Sequence, residues 1–114
     1  TNWITTTKEA YAFVQALGNP GIAMQLDTGT VITNSEDTAE FREVKDAGGH
    51  VHLSEPGLLP LCLATKEHDA VFLSAACIDP GTVTIEMLTR GHGAAAELVE
   101  ASVRKEQDLL QEKR

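Results

Sequence analysis

Two histidines and a glutamate fall within six residues of the segment Gly49-His50-Val51-His52-Leu53-Ser54-Glu55-Pro56. The segment is typical of a strand that runs into a Pro-Gly turn. Because alternate residues of a strand share one face, His50 and His52 are predicted to point the same way, with Glu55 following from the loop. Imidazole and carboxylate groups at one strand end suit a divalent metal or proton transfer. Polar residues on a solvated strand face would give the same pattern, so the segment alone leaves both interpretations open.

The elements around this segment alternate between helix and strand. Thr6 with Glu9 forms a capping box, and Gly18 ends the first predicted helix. The apolar run 22–26 predicts a strand buried on both faces, followed by a polar loop, 28–30. The whole pattern predicts the order α-β-α-β-α-β-α, which implies a parallel sheet with right-handed crossovers. Helices are predicted over 6–17, from Asp37 to Gly48, over 65–77 and over 94–111, with strands at 22–26, 50–53 and 82–87.

Several side chains have a predicted exposure. The leucines of the Pro-rich loop, Leu58, Leu59 and Leu61, are expected to be exposed, and His68 is expected on a solvated helix surface. Apolar stripes at helical spacing are expected to face inward. These stripes are Ala10, Phe13, Val14 and Leu17 in the first helix and Ala95, Leu98, Val99, Val103 and Leu110, with the small Ser102, in the last.

Three potential metal ligands end the three predicted strands. Asp27 follows the first strand, His52 lies near the end of the second, and Glu86 lies near the end of the third. In α/β folds of this type, ligands bind beyond the carboxyl ends of the strands. One such residue per strand, all at the same edge, is a stronger indication of a site than any of them alone.

Composition excludes several classes of function. With 17 acidic and 9 basic residues, the net charge of −8 argues against a nucleic-acid partner, which would require a basic patch. No apolar run approaches the roughly 20 residues of a membrane span, and no signal-peptide pattern is found. Cys62 and Cys77 are too few and too irregularly placed for a disulfide scaffold. We therefore expect a cytoplasmic α/β protein of one domain.

The segments Leu26-Asp27-Thr28-Gly29, His50–Pro56 and Val83-Thr84-Ile85-Glu86-Met87 resemble the last three strands of the sugar phosphate isomerase/epimerase superfamily. This is the xylose-isomerase-like TIM-barrel group, which includes the ketose 3-epimerases. The resemblance extends over nearly the whole chain. It implies that residues 1–114 are a single domain equivalent to the last three βα units of such a barrel, a partial TIM-barrel fragment completed by oligomerisation.

The resemblance also implies a chemistry for the site. Asp27, His52 and Glu86 would bind a divalent cation such as manganese, cobalt, magnesium or zinc, and Glu86 would double as an acid/base residue. The reaction would be proton abstraction next to the carbonyl of a small sugar or sugar phosphate. The substrate would contact four further residues: His50, Glu55, Arg90 and His92.

Three features of the family are absent from the chain. A complete barrel has eight strands, and the strand that carries the family's first metal-binding glutamate has no counterpart here. Thr30 stands where the epimerases tend to have a histidine, and 57–61 replaces a segment that carries a substrate-binding arginine. A related endonuclease IV function is disfavoured, because its additional zinc ligands are missing.

Self-association is a further expectation. Three parallel strands leave two unpaired edges, so we expect a homodimer, in which Glu55 or Glu36 of a second copy could complete a metal shell. The alternative to a truncated isomerase or epimerase is a non-catalytic oligomeric domain that keeps relic site residues.

Overall fold

The computed structural model describes residues 4–44, 48–78 and 81–113. Within them the chain is an α/β arrangement of one three-stranded parallel sheet and four α-helices, as the sequence predicts. The elements are α1 (Thr7–Leu17), β1 (Met24–Asp27), α2 (Thr28–Thr33), β2 (Gly48–Leu53), α3 (Lys66–Ala75), β3 (Thr82–Ile85) and α4 (Ala95–Lys113). Short 3-10 turns occur at Thr38–Arg42, Pro56–Leu58, Leu61–Leu63 and Ala76–Ile78.

The strands lie in the order β1-β2-β3, and their register gives the sheet two different faces. Asp27 is paired with His52, and His52 is paired with Thr84. Because side chains alternate along a strand, the polar residues share one face and the apolar residues the other. Leu26, Val51 and Leu53 are buried on the apolar face. The polar face carries half-buried or exposed side chains: Gln25, Asp27, His50, His52, Thr82 and Thr84.

The core lies between the apolar face and the helices. Phe41 and Phe72 are its largest side chains and are almost completely buried. The other members of this cluster are Leu26, Val31, Val51, Leu53, Leu61, Val71, Ala75 and Ile78. A smaller cluster joins Met24 and Val44 to the partly buried Ala10, Tyr11 and Val14 of α1. Phe41 and Val44 are thus both buried, one in each cluster.

Helix boundaries follow the caps that the sequence indicates. Thr6 accepts a hydrogen bond from the Glu9 backbone N–H, and the Glu9 carboxylate accepts one from the Thr5 N–H, so the box reaches one residue further back than predicted. Gly18 ends α1 with φ of 58°, a left-handed conformation that glycine adopts without strain. Asp37 caps a 3-10 turn, where a longer helix was predicted.

The predicted polar loop at residues 28–30 is wrong, because these residues form the first turn of α2. The Asp27 carboxylate caps that turn by accepting the Thr30 N–H, and Thr28 is completely buried. The prediction that β1 is buried on both faces is also wrong. Gln25 is exposed on the polar face, as alternation requires for a sheet with one apolar face.

Four further expectations about exposure are wrong. Leu61 is fully buried in the core, and His68 is fully buried in α3. On α4, Ala95, Val99 and Val103 are exposed, whereas Ser102 is buried as expected and Glu106 is buried as well. On α1, Phe13 and Leu17 are exposed. The apolar stripes therefore mark amphipathic helices correctly but assign their buried faces only in part.

Residues 79–80, between the third predicted helix and the third predicted strand, lie outside the described residues, as does the side chain of Cys77. Cys62 is a half-buried free thiol. Among the residues described, no helix has the length and apolar character to cross a membrane.

Candidate metal centre

Asp27, His52 and Glu86 converge at the carboxyl ends of the three strands. One ligand atom from each residue lies within 4.8 Å of the other two. His52 Nδ1 is 3.5 Å from Glu86 Oε2. The β-ladder explains the convergence, because Asp27 and His52 are paired across β1 and β2, and Glu86 follows Thr84 by two residues on the same face. The sequence argument anticipated this grouping, which joins one residue from each strand.

Burial differs among the three side chains. Asp27 and His52 are half-buried, and the Glu86 side chain is 51% exposed. Asp27 is the most constrained, since its Oδ1 accepts hydrogen bonds from the Thr30 N–H and from the Ser54 hydroxyl, both at 2.9 Å. Among the described residues, Oδ2 accepts none. Oδ1 therefore makes hydrogen bonds within the fold, and Oδ2 remains available to a ligand.

The donor set fits a divalent cation. One imidazole nitrogen and two carboxylates are ligands used by zinc, manganese and cobalt, whereas magnesium prefers oxygen alone. Two ligands bound at about 2.1 Å from one cation lie at most about 4.2 Å apart. The observed limit of 4.8 Å is slightly wider, so a cation would have to draw the ligand atoms closer together, and Glu86 is the most exposed of the three side chains. Three protein ligands also leave coordination positions open for a small molecule.

Ser54 is the link between β1 and the loop after β2. The Ser54 backbone N–H donates to Thr28 Oγ1 at 2.9 Å. The Thr28 hydroxyl in turn donates to the Ser54 carbonyl oxygen, also at 2.9 Å. The Ser54 side chain accepts the Gly29 N–H at 3.1 Å. These contacts hold the start of α2 against the end of β2, and so they set the position of Asp27.

His50 lies on the same face as His52, one pleat nearer the strand's beginning. Its ring meets the His52 ring edge-on at 4.8 Å between centroids, and its Nδ1 contacts the Thr82 hydroxyl. The contact to Thr82 holds the His50 ring beside the three candidate ligands, and His50 is not one of them. Its predicted role as a wall of the substrate site stays a prediction.

An open cavity of about 380 Å³ lies beside Asp27. Its polar lining comes from Thr5, Thr30, Thr33, Asn34 and Ser54. The acids Asp27 and Glu55 also line it, and no lysine or arginine does so among the described residues. Hydroxyl and amide groups of this kind suit a small polar ligand, and the two acids disfavour an anionic one.

Sequence reasoning missed a buried polar cluster beneath the site. His68 Nε2 forms a 2.8 Å hydrogen bond with Glu106 Oε1, and His68 Nδ1 is 3.7 Å from Glu55 Oε2. All three residues are buried. Burial raises the pKa of the Glu55 carboxyl above its ordinary value, and the charges of His68 and Lys105 offset only part of that effect. His68 and Glu106 are 38 residues apart, so no local pattern could have indicated the pair.

The remaining candidate residues are not members of the ligand triad. Arg90 and His92 are exposed in the loop between β3 and α4. Glu36, one candidate for completing a partner's metal shell, accepts the Thr7 N–H and the Asn34 side-chain amide within its own chain, and its role in a second copy stays a prediction. The contacts of Glu36 hold the start of α1 to the end of α2. Substrate contact by Arg90 and His92 stays a prediction.

Comparison with known proteins identifies no family. No family model matches the chain, and no curated protein matches it either.

Proposed function

We propose that this chain binds a divalent cation through Asp27, His52 and Glu86, and that the cation and the adjoining cavity together bind a small sugar or sugar phosphate in the manner of an isomerase or epimerase. The observation that carries the proposal is the convergence of the three ligand atoms within 4.8 Å at the carboxyl ends of adjacent strands. Such an edge is where α/β sheets bind their ligands.

The residues of the chain have separate tasks in this proposal. Asp27 and His52 hold the cation from half-buried positions, and the exposed Glu86 closes onto it. When bound, the cation polarises oxygen atoms of the ligand and lowers the cost of removing a neighbouring proton. Glu86 is the carboxylate best placed to accept that proton, because it is exposed and lies 3.5 Å from the His52 imidazole. The acidic lining of the cavity favours a neutral sugar over a phosphorylated one.

The direct test is Mn²⁺ binding, measured by calorimetry and by electron paramagnetic resonance. Asp27→Asn keeps the N-cap of α2, because asparagine caps helices well, but it removes the negative charge. Asp37→Asn is the matched control, since Asp37 also caps a helical turn by accepting a backbone N–H. We expect Asp27→Asn to weaken Mn²⁺ binding by at least about 10-fold and Asp37→Asn to leave it unchanged. Equal affinities would contradict the proposal.

Catalysis requires its own measurement. Ketoses and their phosphates are incubated with the Mn²⁺-loaded protein in deuterium oxide, and exchange is followed at the carbon next to the carbonyl. Exchange that depends on Glu86 supports an isomerase or epimerase. Cation binding without exchange would reduce the function to metal and ligand binding.

A second candidate function is that of a non-catalytic, self-associating domain. The observation in its favour is the exposure of β3, an edge strand whose Thr82, Val83 and Thr84 are all exposed. Val83 is paired with Val51 and lies on the apolar face of the sheet, and yet it is 40% exposed. Light scattering with Mn²⁺ and with a chelator separates the candidates. A dimer whose mass is the same with Mn²⁺ and with the chelator, and which the Val83→Lys substitution dissociates, supports this second function. A monomer contradicts it.

A further inference from the structure

The Ser54 side chain is enclosed between two backbone segments that meet at the metal centre. Ser54 is only 3% exposed, and its backbone is fixed by the two hydrogen bonds with the buried Thr28 hydroxyl. Without such contacts, a serine at the end of a strand could adopt several rotamers. Here the fixed backbone directs the Ser54 hydroxyl toward the start of α2.

The direction of each hydrogen bond at Ser54 is determined by its partners. The Gly29 N–H can only donate, so the Ser54 oxygen accepts it. The single hydroxyl proton of Ser54 then points to Asp27 Oδ1, which is 2.9 Å away. Gly29 makes this geometry possible, because a Cβ at that position would lie 2.3 Å from the Ser54 oxygen. The Gly29 backbone and the Ser54 hydroxyl therefore fit together only in the absence of a side chain.

We propose that Ser54 is the positioning residue of the metal centre, orienting the Asp27 carboxylate through its hydroxyl so that Oδ2 is presented to the cation. The inference rests on the proposed function. With donors from both Ser54 and Thr30, one carboxylate oxygen is engaged by the fold, and any rotation of the carboxylate short of the half-turn that exchanges its two equivalent oxygens would break both bonds. Hydrogen bonds that orient a metal ligand typically contribute 10–100-fold to metal affinity, because the ligand is arranged before the metal arrives.

The test compares two buried serines. Ser54→Ala removes the hydroxyl but keeps the backbone contacts with Thr28. Ser102→Ala is the matched control: Ser102 is fully buried and also accepts a backbone N–H at 3.1 Å, but from Cys62, in the contact between α4 and the turn at residues 61–63. We expect Ser54→Ala to weaken Mn²⁺ binding by roughly 10–100-fold, and Ser102→Ala to change it by less than about twofold.

A second readout needs no metal. Three-bond carbon–nitrogen couplings, measured by NMR on the metal-free chain, report the χ1 rotamer of Asp27. We expect one rotamer in the wild type and in Ser102→Ala, and averaging in Ser54→Ala. A general loss of packing would not produce this change at Asp27 alone.

The outcomes separate the two proposals. If Ser54→Ala binds Mn²⁺ as tightly as the wild type, or keeps a single Asp27 rotamer, the positioning role is wrong. If the wild type binds no Mn²⁺, the proposed function fails, and the rotamer measurement alone then decides whether Ser54 orients Asp27.

Discussion

The Nε2 atom of His68 lies 2.8 Å from Oε1 of Glu106, and both side chains are buried. This pair joins α3 to α4. Further polar contacts between α4 and the rest of the chain come from the same face: Ser102 accepts the Cys62 N–H, and Lys105 donates to the carbonyls of Leu61 and Ala64 and pairs with Asp69. The last helix is thus attached largely through polar and charged groups, assisted by the partly buried Leu109 and Leu110.

Loss of the Glu106 carboxylate is expected to destabilise the fold strongly. Glu106→Ala removes one partner of a buried pair and leaves the His68 imidazole without its hydrogen bond, and a buried polar group left unpaired typically costs about 1–3 kcal/mol. Glu100→Ala is the control on the same helix, since Glu100 pairs with Arg104 at 2.8 Å on the exposed surface. We expect that change to cost about 0.5 kcal/mol or less. Urea unfolding gives both values, and similar losses would show that the buried pair contributes nothing special.

Glu55 is expected to make stability depend on pH. Its folded pKa is raised above the ordinary value of 4.5, so its favourable contribution is complete below that value and is lost as the pH rises through the folded pKa. The groups that face it are His68, Glu67 and Asp69 of α3 and Lys105 of α4, and Glu55→Gln leaves all of them in place.

The expected result is therefore a relative gain for Glu55→Gln as the pH rises. The difference in unfolding free energy between the variant and the wild type should move in favour of the variant between pH 4 and pH 7. Glu97→Gln, on the exposed first turn of α4, gives the background for an ordinary glutamate. A difference that moves against Glu55→Gln over this range would mean that the carboxylate form is the stabilising one.

The fold class could be predicted because its signals are local. Capping residues such as Thr6 and Asp37, the stop at Gly18 and the alternation of apolar runs with amphipathic segments depend on neighbours in the chain. The loop predicted at Thr28 failed for a different reason. The helical turn there depends on the Ser54 contacts, which come from a residue 26 positions away along the chain.

The candidate site shows the same division. Asp27, His52 and Glu86 could be grouped from sequence because parallel strands bring their carboxyl ends to one edge. The buried partners could not be found in this way. The charged neighbours Glu67 and Asp69 predict that His68 lies on the surface. Only the packing of α4 against α3 shows that His68 is buried and that Glu106 is its hydrogen-bond partner.

Gly29→Ala is expected to disrupt the contact between α2 and the end of β2. The new methyl group would meet the Ser54 oxygen at 2.3 Å, and overpacking of this kind typically costs about 1–3 kcal/mol. Adding Ser54→Ala should recover part of that loss, because it removes the closest atom. Gly49→Ala is the control, since a Cβ there would meet no atom within 4 Å. Thermal unfolding of the wild type, the two single variants Gly29→Ala and Ser54→Ala, the double variant and the Gly49→Ala control tests the coupling, and strictly additive losses would contradict it.

Cation binding is expected to stabilise the fold through Glu86. At a free Mn²⁺ concentration 100 times the dissociation constant, a ligand that binds only the folded chain adds about 2.7 kcal/mol to the unfolding free energy. Glu86→Gln should barely change the metal-free stability, within about 0.5 kcal/mol, because the side chain is 51% exposed. At the same Mn²⁺ concentration it should lose most of the added stability, whereas Glu97→Gln keeps it. If Mn²⁺ stabilised Glu86→Gln as much as the wild type, Glu86 would not be a ligand of the cation. Asp27 and His52 would then be the two remaining candidates among the three proposed ligands.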